Sequence, residues 1–461
     1  MQRRRSASSF ESSSSEVADD DVIISDPALL RRLLISILIL CWSGMYIWHV
    51  SPLAAEPART FVDEVCNLGG RWVGGACECF STWRSESNCS ALSLGPALQE
   101  REAGLSLRHL NTSIWGASPI QSDDGAFHVF ASRMRLECPV FGPKGENYWL
   151  LNSEIIRADA LNAEGPYAVR ESFLRWNTKG EDASGRWDFK MLHNPAIVRA
   201  HDGTYLLYYT GTAYNGPAVD CRNGSRPSGE ALKKRIELAR SKQRIGLATS
   251  TDPKGPWTPL QWPILHPGAA PAFDDRFVTN PSPIVTRNGS IALVYKGVSK
   301  RKPFAMRFGV AFAKDYSQPR YARASDDLFG AVCGGSNFGS KFGSKCSVED
   351  AYGWHDAQSQ TTDGRDVYHL IFKDQTGALA DEADAGAHAL SHDGVHWRLA
   401  RPAGAYAKAG FTFRERSQML FDAESAPSHL FHAIHDGGAM RDRHTYNIPT
   451  PISRRTQMRP H

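Results

Sequence analysis

Five segments of this chain repeat one pattern: a short polar motif, a turn of Gly, Asp or Asn, and a run in which apolar side chains recur at alternate positions. The first reads Gly116-Ala117-Ser118-Pro119-Ile120 before Ala126-Phe127-His128-Val129-Phe130, and the second His193-Asn194-Pro195-Ala196-Ile197 before Tyr205-Leu206-Leu207-Tyr208-Tyr209. The third pairs Thr279-Asn280-Pro281-Ser282-Pro283-Ile284 with Ile291-Ala292-Leu293-Val294-Tyr295. The fourth pairs Glu349-Asp350-Ala351-Tyr352 with Val367-Tyr368-His369-Leu370-Ile371-Phe372, and the fifth Glu415-Arg416-Ser417-Gln418-Met419 with His429-Leu430-Phe431-His432-Ala433. A period of two marks a strand with one buried face, so each unit predicts an inner hairpin. A further apolar strand follows several of them, as in Ile245-Gly246-Leu247-Ala248 and Phe308-Gly309-Val310-Ala311.

Units recur roughly every 65 to 90 residues, enough for a four-stranded antiparallel sheet with loops, and self-similarity on that scale marks a repeat architecture. The prediction is an all-β fold: a five-bladed β-propeller over 110–438, with 439–461 as a C-terminal tail. Strand after strand argues against a nucleotide-sugar transferase, which alternates strands with helices.

The N-terminal part differs in kind. Residues 1–32 carry Arg3-Arg4-Arg5 and a serine run from Ser12 to Ser15 without apolar periodicity, and are predicted to be a disordered cytosolic tail. Leu33 to Val50 holds no Asp, Glu, Lys or Arg. About 18 residues rising ~1.5 Å each nearly cross a bilayer core of ~30 Å, so 33–50 is predicted to be a transmembrane helix. Arg31 and Arg32 before it keep the tail cytosolic and place the rest in the lumen or outside the cell, as in a single-pass type II protein of the secretory pathway. A cleaved signal peptide is the competing reading; the long preceding tail and Trp42, Tyr46 and Trp48 as interface anchors favour the span.

Composition is ordinary for a folded protein, 41% hydrophobic and 22% charged, and a net charge of +4 points to no nucleic-acid partner. Of nine cysteines, Cys41 falls in the span and the others follow it, consistent with disulfides in an oxidising lumen. Sequons at Asn88, Asn111, Asn223 and Asn288 agree with that compartment. Within a stem over 51–98, the cluster Cys66, Cys77-Glu78-Cys79, Trp83 and Cys89 resembles the C-terminal half of an EGF-like module. That resemblance implies pairs Cys66–Cys77 and Cys79–Cys89; Cys333 and Cys346 would close a glycine-rich loop, which leaves Cys138 for Cys221.

In a propeller the innermost strands surround a channel, so equivalent motif positions form rings. Aligned on the proline, one ring is Ser118, Asn194, Asn280, Asp350 and Arg416, preceded by Ala117, His193, Thr279, Glu349 and Glu415. Polar groups this dense beside apolar strands need partners or a ligand. Glycoside hydrolysis uses one protonated and one ionised carboxyl, and a Glu349 carboxyl near Asp350 or Glu415 would have its proton affinity raised. Asp188 and Asp275, in loops leading into the second and third motifs, are further catalytic candidates. Lys296, Lys373 and His388, at or near strand ends, are candidates to hydrogen-bond a sugar, and Trp354 to stack on one. His388, His392 and His396 would suit a metal only on a helix, whereas the alternation predicts strand, so no metal or cofactor is expected.

The runs Leu192-His193-Asn194-Pro195-Ala196-Ile197, Thr279-Asn280-Pro281-Ser282-Pro283-Ile284, Val348-Glu349-Asp350 and Arg414-Glu415-Arg416 resemble glycoside hydrolase family 43 and related five-bladed propellers. The resemblance implies a carbohydrate substrate, an aspartate base on the first blade, an acid-tuning aspartate and a glutamate acid on a later blade. Glu349 matches the acid, but Ser118 stands where the base would be and the second blade has Asn194. Either the base has moved, to Asp188, Asp275 or Asp350, or the chain binds sugar without hydrolysing it. The expectation is a membrane-anchored lumenal glycosidase, with a noncatalytic carbohydrate-binding propeller as the alternative.

Overall fold

The five repeats form five antiparallel sheets, each built outward from its polar motif. The structure, a computed structural model, describes residues 60–96, 112–173, 186–188, 190–214, 216–301, 304–318, 320–330, 346–407, 414–434 and 445–453. The expected cytosolic tail and membrane span lie outside the described residues, among which no helix is long and apolar enough to cross a membrane.

Three short strands precede the repeats: β1 (Thr60–Val62), β2 (Gly70–Val73) and β3 (Ala76–Cys79). The first blade comprises β4 (Ile114–Gln121), β5 (Phe127–Met134), β6 (Ser153–Ala160) and β7 (Ala168–Phe173); the second β8 (Leu192–Arg199), β9 (Tyr205–Thr212), β10 (Gln243–Ser250) and β11 (Thr258–Pro259). The third holds β12 (Phe277–Val285), β13 (Ile291–Val298), β14 (Met306–Ala313) and β15 (Ala322–Arg323); the fourth β16 (Val348–Thr361), β17 (Asp366–Asp374), β18 (Ala385–Ser391) and β19 (Arg398–Tyr406). The fifth has β20 (Arg414–Phe421), β21 (Pro427–Ile434) and β22 (Tyr446–Pro451).

Strand β22 lies in 439–461, so that stretch is not simply a tail. Pro449 and Pro451 hid it, because proline removes a ladder donor; on the outer strand of a sheet that loss is tolerated. The same segment joins the fifth blade to the first: Ile114 N donates to Thr445 O at 2.9 Å, and Ala117 N to Asn447 Oδ1 at 3.0 Å.

Every inner strand carries a bulge at its polar motif. The ladder skips from Trp115 to Ser118, His193 to Ala196, Thr279 to Ser282, Glu349 to Tyr352 and Glu415 to Gln418. The residue after each skip begins has left-handed φ: Gly116 (61°), Asn194 (50°), Asn280 (51°), Asp350 (57°) and Arg416 (50°). Gly, Asn and Asp tolerate that region best, which explains their recurrence. The equivalent of Asn194 in the first blade is therefore Gly116, not Ser118. Alignment on proline slid by two residues because Pro119 follows the bulge whereas Pro195 and Pro281 lie within it.

The expected stem is no spacer. Strand β1 pairs in parallel with the end of β16, and Phe80, Trp83 and Leu92 share a core with Trp354 and Leu390 of the fourth blade. Trp83 stacks on His388 at 4.6 Å and on Trp354 at 6.3 Å between ring centroids. The pairs Cys66–Cys77, Cys79–Cys89 and Cys138–Cys221 are formed. Cys346 is disulfide-bonded, and Cys333 lies outside the described residues. A helix the strand pattern did not anticipate, α1 (Glu230–Ser241), leaves the second blade between β9 and β10 and buries Leu232, Ile236 and Ala239.

Candidate active site

The bulges turn one residue of each motif inward and set the preceding residue just above it. At the lower level the side chains lock together. Asn194 Nδ2 donates to Asn280 Oδ1 and Asn280 Nδ2 to Asp350 Oδ1, both at 2.7 Å, while Arg416 N donates to Asp350 Oδ2 at 3.1 Å. Arg416 is fully buried, its Nη2 bonded to the carbonyls of Asn194 and Pro281. A Cβ on Gly116 would lie 2.8 Å from Arg416 Cγ and 3.3 Å from Asn194 Oδ1. This plug leaves no room for an aspartate on the first blade.

Above the plug opens a cavity of about 520 Å³. Its walls include Trp115, His193, Thr279, Glu349 and Glu415, the residues immediately before the five bulges. The second strand of one blade reaches across the boundary to the motif of the next. Ser132 Oγ accepts from Asn194 N at 2.9 Å and Thr210 Oγ1 from Asn280 N at 3.1 Å, so the first boundaries are neutral. At the next two boundaries the latches are charged: Lys296 Nζ donates to Glu349 and Lys373 Nζ to Glu415. Lys373 also pairs with Asp384 at 2.9 Å, and Gln375 Nε2 donates to Glu349 Oε2 at 2.6 Å.

The two glutamates share the cavity but not an environment. Burial pushes Glu349 up, yet the Lys296 and Lys373 ammoniums, the Lys296 hydrogen bond and Arg416 overcome it and hold the carboxyl below its ordinary value. Burial of Glu415, helped by the charges of Glu349 and Asp350 and opposed by Lys373, raises it to about 7. The division is the reverse of the one expected from sequence, in which Glu349 was the protonated partner. Asp350 is also raised, by burial and by Glu349, against Arg416. Its oxygens are engaged by Asn280 and the Arg416 backbone, which makes it part of the floor.

His193 is buried and kept neutral by burial and by Arg416 and Lys296; its Nδ1 shares a 2.7 Å hydrogen bond with Ser153 Oγ, and its ring stacks on Trp149 at 4.4 Å. Trp115 and Trp149 give the cavity an aromatic wall. Helix α1 and the residue preceding β12 add Arg240 and Arg276, which the motif pattern could not reveal because they lie outside the repeats. The apolar spacing Leu232, Ile236, Ala239 was the available signal for α1.

Four candidates fall elsewhere. Asp188 accepts from Tyr209 Oη at 2.6 Å and Arg186 Nη2 at 2.5 Å, and Asp275 from Ser299 Oγ at 3.1 Å and Lys300 N at 2.6 Å; the first pins its run-in loop to β9 and the second to the segment just after β13, both outside the cavity. Trp354 and His388 belong to the core under the stapled N-terminal strands, where His388 Nδ1 meets Ser90 O at 2.8 Å. Strand ends that looked solvated in sequence are covered there.

Neither a family model nor a curated protein matches the chain. Among solved structures it is similar to a family 117 glycoside hydrolase of the marine bacterium Zobellia galactanivorans, at TM-score 0.49 and 14% identity over 78% of this chain and 90% of the other. It is similar to an endo-arabinase of Bacteroides thetaiotaomicron, at 0.44 and 11% over 77% and 99%. A third is a family 43 β-xylosidase/α-arabinofuranosidase from a compost metagenome, at 0.45 and 12% over 78% and 94%.

Proposed function

We propose that this chain is a glycosidase whose acid/base pair is Glu415 and Glu349. The supporting observation is that two carboxyls open to one cavity have been driven apart, Glu415 up to about 7 and Glu349 down, which is the division that protonating a leaving oxygen and serving as base or nucleophile require. Trp115 and Trp149 would stack on a sugar face, and His193, Thr279 and Gln375 offer neutral hydrogen bonds to hydroxyls. Gly116, in place of an aspartate on the first blade, favours a second reading: a propeller that binds glycans without cleaving them. We further propose a lumenal site behind an N-terminal membrane anchor, supported by the charge-free run Leu33 to Val50, the disulfides, and the exposure of the sequon residues Asn88, Asn223 and Asn288.

The test is the full chain made in secretory-pathway cells. Wild type should release sugar from at least one member of a glycan panel, while Glu415→Gln and Glu349→Gln lose about 100-fold or more. Binding without release in wild type would establish the noncatalytic reading instead. Absence of any mass change on N-glycan removal would refute the lumenal placement.

A further inference from the structure

The cations around the cavity differ in how fully they are paired. Lys296 is committed to Glu349, Lys373 to Glu415 and Asp384, and Arg416 to the floor beside Asp350. At the mouth two guanidiniums share one carboxylate: Glu237 Oε1 lies 3.2 Å from Arg240 Nε and Glu237 Oε2 lies 2.5 Å from Arg276 Nη2. Glu237 is half exposed, with 52% of its side chain in solvent, whereas both arginines are mostly enclosed at 21%. Arg240 lines the cavity, its one ion pair is with Glu237, and its buried Nε has no hydrogen-bond partner among the described residues.

Both arginines are also held in place. Arg276 lies over the Phe304 ring at 4.4 Å and the Phe277 ring at 5.9 Å, and Arg240 over Phe277 at 6.0 Å. Aromatic faces fix the guanidinium plane, and a fixed fork loses little entropy when it takes a two-oxygen anion.

We propose that Arg240, supported by Arg276, reads an acidic group on the glycan, a uronate carboxylate or a sulfate ester, so that the substrate class is an anionic oligosaccharide. This rests on the cavity being a glycan site. The fork of Arg240 donates to the two oxygens of the acid, Arg276 and Glu237 hold it in register, and the sugar ring lies inward toward Trp115 and Trp149.

The test is calorimetric binding, with turnover in parallel, on glucuronate- and galacturonate-terminated oligosaccharides, each beside its carboxyl-reduced counterpart, and on an O-sulfated oligosaccharide. Wild type should prefer an acidic ligand to its neutral counterpart by about tenfold or more, the scale of a charge-assisted pair. Arg240→Gln should bring that ratio close to one. Arg199→Gln, at an exposed pair with Asp123 away from the cavity, should leave it unaltered. Preference for the uronates or for the sulfated ligand identifies which acid is read. Turnover of neutral glycans without acid preference, or a ratio unmoved by Arg240→Gln, overturns this proposal while leaving the glycosidase standing. Acid preference without turnover leaves this proposal standing and overturns the glycosidase; binding to none of the panel overturns both.

Discussion

Replacing Lys373 with Met removes the ammonium that Glu415 touches while retaining most of the stem's length. In the wild-type protein Glu415 sits near 7 because burial and the neighbouring anions outweigh Lys373. A unit charge at ~4 Å is worth ~4 kcal/mol at the effective dielectric suited to such sites, or about three pKa units; allowing for relaxation, Lys373→Met should raise Glu415 by about two units or more. If Glu415 is the general acid, the alkaline limb of kcat/KM should move from near pH 7 to roughly 9.

The same shift has a signature in stability that needs no substrate. A carboxyl whose folded pKa is raised favours folding when protonated, so its contribution is fullest below the unfolded value of 4.5 and declines as pH rises toward 7. For wild type that decline totals ~3 kcal/mol and ends near pH 7; in Lys373→Met it should continue to roughly pH 9, costing about 2 to 3 kcal/mol more. Urea unfolding from pH 5 to 9 should therefore show a gap between the two proteins that widens above pH 7, added to whatever loss of the Lys373–Asp384 pair costs at acid pH. Curves separated equally at every pH, or an alkaline limb that moves down, would refute the assignment of Glu415 as the protonated carboxyl.

Two floor variants test the plug. Gly116→Ala places a Cβ 2.8 Å from Arg416 Cγ at a φ of 61°, and should cost about 2 kcal/mol or more in denaturant unfolding; near-neutral stability would mean Arg416 does not occupy the channel. Asp350→Asn keeps one acceptor but leaves the buried Arg416 without its carboxylate, so a loss of about 3 kcal/mol is expected, and a stable variant would show that the guanidinium is neutralised elsewhere.

The blades were legible because period-two alternation runs through the five units and a bulge-compatible Asn or Asp stands at three of the five motifs. The ring was misaligned at the first blade because left-handed φ, not proline, defines the equivalent position, and glycine at 116 satisfies that φ without the polar side chain that marks the others. Glu349 and Glu415 could be found from the repeat; their opposite protonation could not, since it depends on how many lysines each faces across a blade boundary. Asp188 and Asp275 looked available because a loop carboxylate gives no sequence sign of the tyrosine, serine or backbone donor that will claim it. Trp354 and His388 were misplaced for a related reason: the N-terminal strands that cover them lie far away in the chain.

The distribution of charge argues that the cavity is more than a stitched seam. Five blade boundaries face the same mechanical demand, and at two of them a serine or threonine hydroxyl accepting a backbone N–H suffices. Stability alone gives little reason to use Lys–Glu pairs at the next two, because desolvating both ions costs several kcal/mol that their attraction does no more than offset. Those pairs stand side by side in a cavity whose walls also include Trp115 and Trp149, and the raised carboxyl is the one whose lysine is shared with Asp384. Burial and the charges of Glu349 and Asp350, against the one lysine Glu415 touches, leave it able to hold a proton near neutral pH, while Glu349, faced by Lys296, Lys373 and Arg416, stays ionised beside it.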